Sequence, residues 1–396
     1  MAIGIPTRNR AQLAIDAIDS VLRSARPGVA VVVSDNSTEE TEAARLADAC
    51  AARPGVRYVR PPEPLPMAEH WEWLWDEIQR QVAPSHVAYL TDRLVFASGA
   101  LERLLEVVAS DPGQVVSYHF DTVLDLAPPV GLVQTPWTGA VYELDCGTLA
   151  ELSSRGEFAA CLPRLMNSVV PVEVGAAIRE RFGGLFGPRA PDYRFAFRCL
   201  ALRDTILYLD RACVIEHGLI RSQGTAYRRG ALNADARRFA RELSEAPFGA
   251  TPEPAFETNA NAIFQEYCAV RAEPGGAGLP AVDRASYLAT NAVSVALIED
   301  PDWRARMREL LATHGWTRGR EARRRASVAL RMAAYLARRP RALGRAVGRR
   351  VRRGEPSFGS DREAIAYAGT HPRPATADAW HIHVLRRAGA VVTRRR

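Results

Sequence analysis

Short apolar runs punctuate the first hundred or so residues, and most stop abruptly at a polar tip. Ala2–Ile5 gives way to Pro6-Thr7-Arg8-Asn9-Arg10, Ala30–Val33 to Ser34-Asp35-Asn36-Ser37, and Val87–Leu90 to Thr91-Asp92-Arg93. Val56–Val59 is a further run of the same kind. Between them lie stretches with apolar residues at helical spacing: Ala14, Ile15, Ile18, Val21 and Leu22, then about Glu39 to Ala52, then Trp71, Leu74, Trp75 and Ile78, then Leu101, Leu104, Leu105 and Val108. Continuous apolar strands alternating with amphipathic helices predict a parallel sheet covered on both faces. Asn9 and Ser98 read as N-caps of the helices that follow them, with Gln12 completing a near capping box. The Trp71 and Trp75 face reads as core.

In an open sheet of this kind, ligands bind beyond the carboxyl ends of the strands. The tips Thr7-Arg8-Asn9, Ser34-Asp35-Asn36 and Thr91-Asp92 are therefore the first candidates for a site, Asp92 above all. Such a set suits a nucleotide: a carboxylate accepts hydrogen bonds from base or ribose, and another holds a divalent metal on a diphosphate. A turn or cap role competes for each of these aspartates. Other classes lose support, because no Walker A loop, no GxGxxG after a strand and no GxSxG elbow occurs.

These residues resemble the first half of a family-2 glycosyltransferase. IPTRNRAQLAIDAIDSVL matches the family's Pro-Thr/Ser-x-Asn-Arg tip, VVVSDNST its acidic second tip, and YLTDRLVFASGALERLLEVV the strand that ends in a metal-binding Asp-x-Asp. The resemblance covers about residues 1–110 well and 165–225 less tightly. It implies an α/β fold of the GT-A type, a Rossmann-like, mostly parallel sheet flanked by helices, with a helical C-terminal region. It implies an inverting transfer of a sugar from a nucleoside diphosphate sugar to a hydroxyl acceptor: a surface polysaccharide, a lipid-linked glycan or a small natural product. Donor binding then falls to Pro6, Thr7, Arg8, Asn9, Asp35, Asn36, Thr91, Asp92, Arg93 and Arg221, and the general base to Asp192, placed like the N-cap of a helix from about Tyr193 to Arg203. Metal ligation, by Mg²⁺ or Mn²⁺, falls to Asp92 and to His217. The Asp-x-Asp motif is degenerate here, since Leu94 stands where the second carboxylate belongs. Arg93 is the alternative charge for the diphosphate. A GT-A-like binding or scaffold protein without transfer activity is the competing reading, and Leu94 is its support.

Beyond Val115 the pattern loosens. Val115–Phe120 reads as a strand, Asp121–Asp145 as loop, Ser153–Met166 as helix and Pro171–Phe182 as a helix ending at Gly183-Gly184. Ile206–Leu209 and Cys213–Glu216 read as two strands around Asp210-Arg211. Helices are expected over 231–243, 254–270, 282–300 and 303–313. Trp137 lies in the loop region, where a sugar could stack on it. The division that follows is 1–225 for the GT-A domain, 226–317 for a helical region, 318–354 for a basic segment and 355–396 for a pattern-poor tail, partly disordered.

The chain contains no lysine, and its net charge of +7 is concentrated. Arg318–Arg353 holds 14 arginines and a single acid, Glu321, so the rest of the chain is mildly acidic. A solvated tail, a contact with an anionic membrane and a nucleic-acid contact compete for that segment, the last disfavoured by the scarcity of interleaved aromatics. No apolar run approaches the roughly 18 residues of a spanning helix. The six cysteines are scattered, without zinc-site spacing, as free thiols of a reducing compartment would be. The expectation is a cytoplasmic protein of bacterial character, peripheral at the inner face of the membrane if the arginines meet lipid.

Overall fold

The structure is a computed structural model that describes residues 1–24, 27–222, 225, 249–317, 319, 322, 326, 330, 356–375 and 379–395. The helix expected over 231–243 and nearly all of the arginine segment lie outside these residues.

The N-terminal alternation folds as its pattern requires. Strands β1 (Ala2–Thr7), β2 (Ala30–Asp35), β3 (Val56–Val59) and β4 (His86–Tyr89) pair in parallel in the order β4-β1-β2-β3. Helices α1 (Ala11–Ser24), α2 (Glu40–Ala51) and α3 (Met67–Val82) make the crossovers. Strands β1, β2 and β4 are buried on both faces because both are covered, whereas the edge strand β3 exposes Arg57. Ile3, Ile5, Val31, Val33 and Ala88 pack with Ile18 of α1 and Leu101, whereas Ala2, Val32, Val87 and Tyr89 pack with Trp71, Leu74, Trp75 and Ile78 of α3. Gly4 allows that second layer to close: a Cβ there would meet Ile78 Cδ1 at 2.8 Å.

The remaining described strands extend the sheet. They are β5 (Leu94–Phe96), β6 (Val116–Leu124), β7 (Gly131–Val133), β8 (Val141–Asp145), β9 (Ser168–Pro171), β10 (Thr205–Glu216) and β11 (Val391–Arg395). The order is β11-β8-β10-β6-β9-β4-β1-β2-β3, with β5 on β10 and β7 on β6. Helices α4 (Ala100–Ser110), α5 (Cys146–Ser154), α6 (Val172–Phe182) and α7 (Pro191–Leu202) lie between strands. Helices α8 (Asn259–Ala272), α9 (Arg284–Ala296) and α10 (Pro301–Thr313) follow, and α11 (Asp361–Thr370) and α12 (Trp380–Ala388) precede β11. This is the α/β architecture with a mostly helical later part that the sequence led us to expect.

Several local expectations are corrected. Asn9 does not cap its own helix: it sits at φ 52°, and its Oδ1 accepts the N–H groups of Thr38 and Glu39 at the start of α2. The first N–H of α1, on Ala11, instead reaches Glu42 of α2, so the two helices cap each other. Ser98 is not an N-cap either; Gly99 holds that place on α4. Asp192 falls inside the first turn of α7, because Pro191 takes the first helical position and Ala190 the cap. Within 121–145, read as loop, the chain forms β7 and β8.

Within 153–166, read as helix, α5 ends at Ser154, Gly156 turns the chain at φ 72°, and a loop follows. Asn167 holds that loop, accepting the Arg164 N–H and donating to the carbonyls of Tyr118 and Ala160. The two strands expected around Asp210 are one, β10, with an irregular register between Leu209 and Val214. The buried Asp210 carboxylate explains the irregularity, for it is turned to accept the Thr138 N–H and hydroxyl and the His381 ring. The tail read as pattern-poor holds α11, α12 and β11, and β11 pairs antiparallel with β8. Among the described residues no helix is long and apolar enough to cross a membrane.

Candidate functional site

Parallel pairing sets the strand tips side by side. Thr7 is level with Asp35, and Gly4 with Tyr89, so the chain leaving β4 carries Thr91 and Asp92 beside Pro6 and Thr7. These tips open on a cleft of about 400 Å³. Its far wall comes from much later in the chain: Arg164 on the loop before β9, the start of α7 from Arg189 to Tyr193, and Glu216 at the end of β10. Of the residues expected at a donor site, Pro6, Thr7, Arg8, Asn36, Thr91, Asp92 and Arg93 line this cleft, and so does Asp192.

Others lie elsewhere. Asn9 is committed to capping α2. Asp35 lines an adjoining pocket of about 430 Å³ with Glu40, Arg60 and the proline loop, and Asn36 borders both cavities. Asp35 is wholly buried, its Oδ1 accepting the Ser37 N–H and its Oδ2 the Tyr58 hydroxyl. Asn36 exchanges two hydrogen bonds with the backbone of Leu65, and Arg8 donates to the same carbonyl, so the Pro61–Pro66 loop is pinned over the tips. The backbone of Arg221 closes a 3-10 turn, Leu219–Arg221; its side chain is not among those described. Trp71 packs edge-on against Tyr89 and Phe186 in the core and also borders the cleft. Trp137 lies away from the cleft, with the Arg211 guanidinium over its ring.

The charges are arranged in pairs. Thr7 Oγ1 donates to Asp92 Oδ2 at 3.0 Å, and Arg10 Nη1 lies 3.6 Å from Asp92 Oδ1. Arg93 Nη1 lies 3.0 Å from Glu216. Arg164 Nη1 lies 3.7 Å from Asp192 Oδ2 and 3.4 Å from the Tyr193 hydroxyl, with its guanidinium between the rings of Phe120 and Tyr193. Burial raises the Asp192 pKa above the ordinary carboxylate value against the opposing pull of Arg164. Under the β2 tip, buried His70 shares a 2.6 Å hydrogen bond with Ser34, and burial lowers its pKa to about 3, so the ring is neutral.

The start of α7 is held from below by the later helices. Glu266 of α8 is fully buried and accepts the N–H groups of Arg189 at 2.8 Å and Ala190 at 3.2 Å. It also pairs with Arg194, which bonds Glu273 at 2.8 Å. Gly187 leaves room for this carboxylate, since a Cβ there would collide with Glu266 Oε2. Arg10, Arg164, Arg189, Glu216 and Glu266 were missed in the sequence. Arg10 stood within a quoted motif; the others carried no local signal.

A divalent metal, expected from the resemblance, does not fit these residues. Leu94 is buried in β5, paired with Glu216, where a second carboxylate was needed. Both Asp92 oxygens already face protein partners. His217 is buried with Nδ1 3.5 Å from Asp361 of α11, and the described cleft wall includes its neighbours Glu216 and Leu219 but not His217 itself. Among the described residues, no three His, Cys, Asp or Glu side chains converge where an ion could sit.

Residues 2–143 match the family model described as glycosyl transferase family 2. Among solved structures, S. aureus TarS 1-349 is 12% identical, with 77% of this chain and 82% of that chain covered and a TM-score of 0.42. The complex of TarS 1-349 with UDP-GlcNAc is 12% identical, with 75% and 80% covered and a TM-score of 0.43. Its complex with UDP is 13% identical, with 82% and 91% covered and a TM-score of 0.43. No curated protein matches the chain. Over residues 2–143, then, this chain is similar to glycosyl transferase family 2 sequences.

Proposed function

We propose that this protein transfers a sugar from a nucleoside diphosphate sugar to a hydroxyl acceptor with inversion at the anomeric carbon. One observation carries the reading: Asp92, at the tip of β4, and Asp192, on the first turn of α7, line the same cleft although a hundred residues separate them in the chain. The first belongs to the donor side. The second stands on the opposite wall, where an acceptor would enter.

The chemistry follows from that placement. Asp192 accepts the proton of the acceptor hydroxyl as that oxygen attacks the anomeric carbon. The new carbon–oxygen bond forms as the bond to the diphosphate breaks, and the nucleoside diphosphate leaves with the electron pair. A carboxylate raised above its ordinary pKa is the stronger base once ionised; burial raises that of Asp192, and the nearby Arg164 opposes the rise. The Thr91 hydroxyl on the donor side and Arg164 Nε on the far wall are buried without a hydrogen-bond partner among the described residues, leaving donors for a bound ligand. The adjoining pocket at Asp35 and Asn36 is roomy enough for a base or ribose.

A thermal-shift panel of UDP, GDP, dTDP and CDP tests the reading. A ligand at 100 times its Kd adds about 2.7 kcal/mol, so one nucleotide should raise the melting temperature clearly. Leu94 favours the second reading, a donor-binding protein without transfer; it predicts the same shift but no release of nucleoside diphosphate from any nucleotide sugar.

A further inference from the structure

We infer that the donor's diphosphate is held here by arginine rather than by a divalent cation, with Arg10 and Arg93 as the principal groups. The inference rests on the donor-site reading above. A metal on a diphosphate supplies two positive charges and a fixed geometry. The cleft supplies the same quantities from its own side chains. Among the described residues five arginines line it, Arg8, Arg10, Arg93, Arg164 and Arg189, against three carboxylates, Asp92, Asp192 and Glu216. His70 adds no charge, being neutral.

The geometry is supplied by the carboxylates. Asp92 holds Arg10 at 3.6 Å, and Glu216 holds Arg93 at 3.0 Å. A guanidinium has five N–H donors in a planar fork, so Arg93, bound to Glu216 through Nη1, still offers others to phosphate oxygens. The pairing therefore orients each arginine before the ligand arrives and reduces the ordering cost of binding. Leu94 fits the same scheme. Its backbone pairs with Glu216, which brings Arg93 and Glu216 together across the β5–β10 ladder, and its apolar side chain keeps a second acid out of the cleft.

The test is calorimetry on the full chain, using UDP, GDP, dTDP and CDP as probes, each in excess EDTA and each with Mn²⁺. One nucleotide is expected to bind with the same Kd in both conditions. Arg93→Gln and Arg10→Gln should each weaken that binding about tenfold, as loss of about 1.4 kcal/mol would. Arg93→Lys, which keeps the charge and loses the fork, should fall between and guards against a misfolded Gln variant. Binding that requires Mn²⁺, or arginine variants that bind as wild type in EDTA, would overturn the inference while leaving the donor site standing. Failure of all four nucleotides in both conditions would overturn the inference and the donor-site reading together.

Discussion

Arg164 Nη1 stands 3.7 Å from Asp192 Oδ2, joining a loop before β9 to the first turn of α7 on the far wall of the cleft. The pair sets the protonation of the proposed base. Burial raises the Asp192 pKa, and Arg164 limits the rise. Asp192→Asn should therefore lower transfer by about a hundredfold or more, the range of general-base catalysis, while nucleotide affinity stays at the wild-type value. The acid limb of the wild-type pH profile should fall above the ordinary carboxylate range, because protonated Asp192 cannot accept the acceptor's proton. Steady-state rates across acid pH, with nucleotide Kd measured in parallel, check both statements.

Glu266 reaches the start of α7 from helix α8 and fixes where Asp192 stands. It is wholly buried and pairs with Arg194. Removing one partner of a buried pair costs about 3–5 kcal/mol. Arg194 keeps Glu273, so Glu266→Gln should sit at the lower end, about 3 kcal/mol, in urea denaturation. The surviving folded enzyme should lose kcat more than nucleotide affinity.

The C-terminal helix α12 is fastened to the sheet by His381, whose Nε2 lies 2.7 Å from Asp210 Oδ1. Burial alone would raise the Asp210 pKa; the hydrogen bonds from His381 and Thr138 outweigh it and hold the pKa below its ordinary value. His381→Ala leaves that carboxylate with Thr138 alone and should cost about 2 kcal/mol, the scale of a hydrogen bond to a charged group. Equal chemical-denaturation midpoints for variant and wild type would refute it.

His70 gives the fold a measurable acid sensitivity. Its native pKa is about 3 against an ordinary value of 6.5. The unfolded chain thus binds a proton in a window where the native state does not, and stability is lost as pH falls through that window. The slope is about 1.4 kcal/mol per pH unit, or roughly 2 kcal/mol between pH 6.5 and 5. His70→Gln should be less sensitive by that amount over the same interval, read as the difference in unfolding free energy between the two pH values.

The donor side of the cleft was legible in the sequence, and the opposite wall only in part. Strands such as Ala30–Asp35 are buried on both faces, so they advertise themselves as unbroken apolar runs, and their polar tips follow at once. Asp192 was legible from the Pro191-Asp192-Tyr193 helix start, though it stands two positions inside the cap, Ala190. Arg164 was not, because it stands on a loop whose shape comes from Asn167 and Gly156 rather than from any periodicity. Glu266 looks like an ordinary solvated residue of a helix until α7 is packed on it. Strand β11 was missed for a related reason: three arginines in or beside a short Val-Val-Thr run resemble a tail, and its partner β8 lies far back in the chain.

The most direct measurement is release of nucleoside diphosphate from a panel of nucleotide sugars, by wild type and by Asp192→Asn, with and without candidate hydroxyl acceptors. The account predicts that wild type releases the diphosphate of one donor in an acceptor-dependent way, and that the variant binds the same donor without releasing it. Equal release by both proteins, or donor binding with no release by wild type under any acceptor, would contradict it.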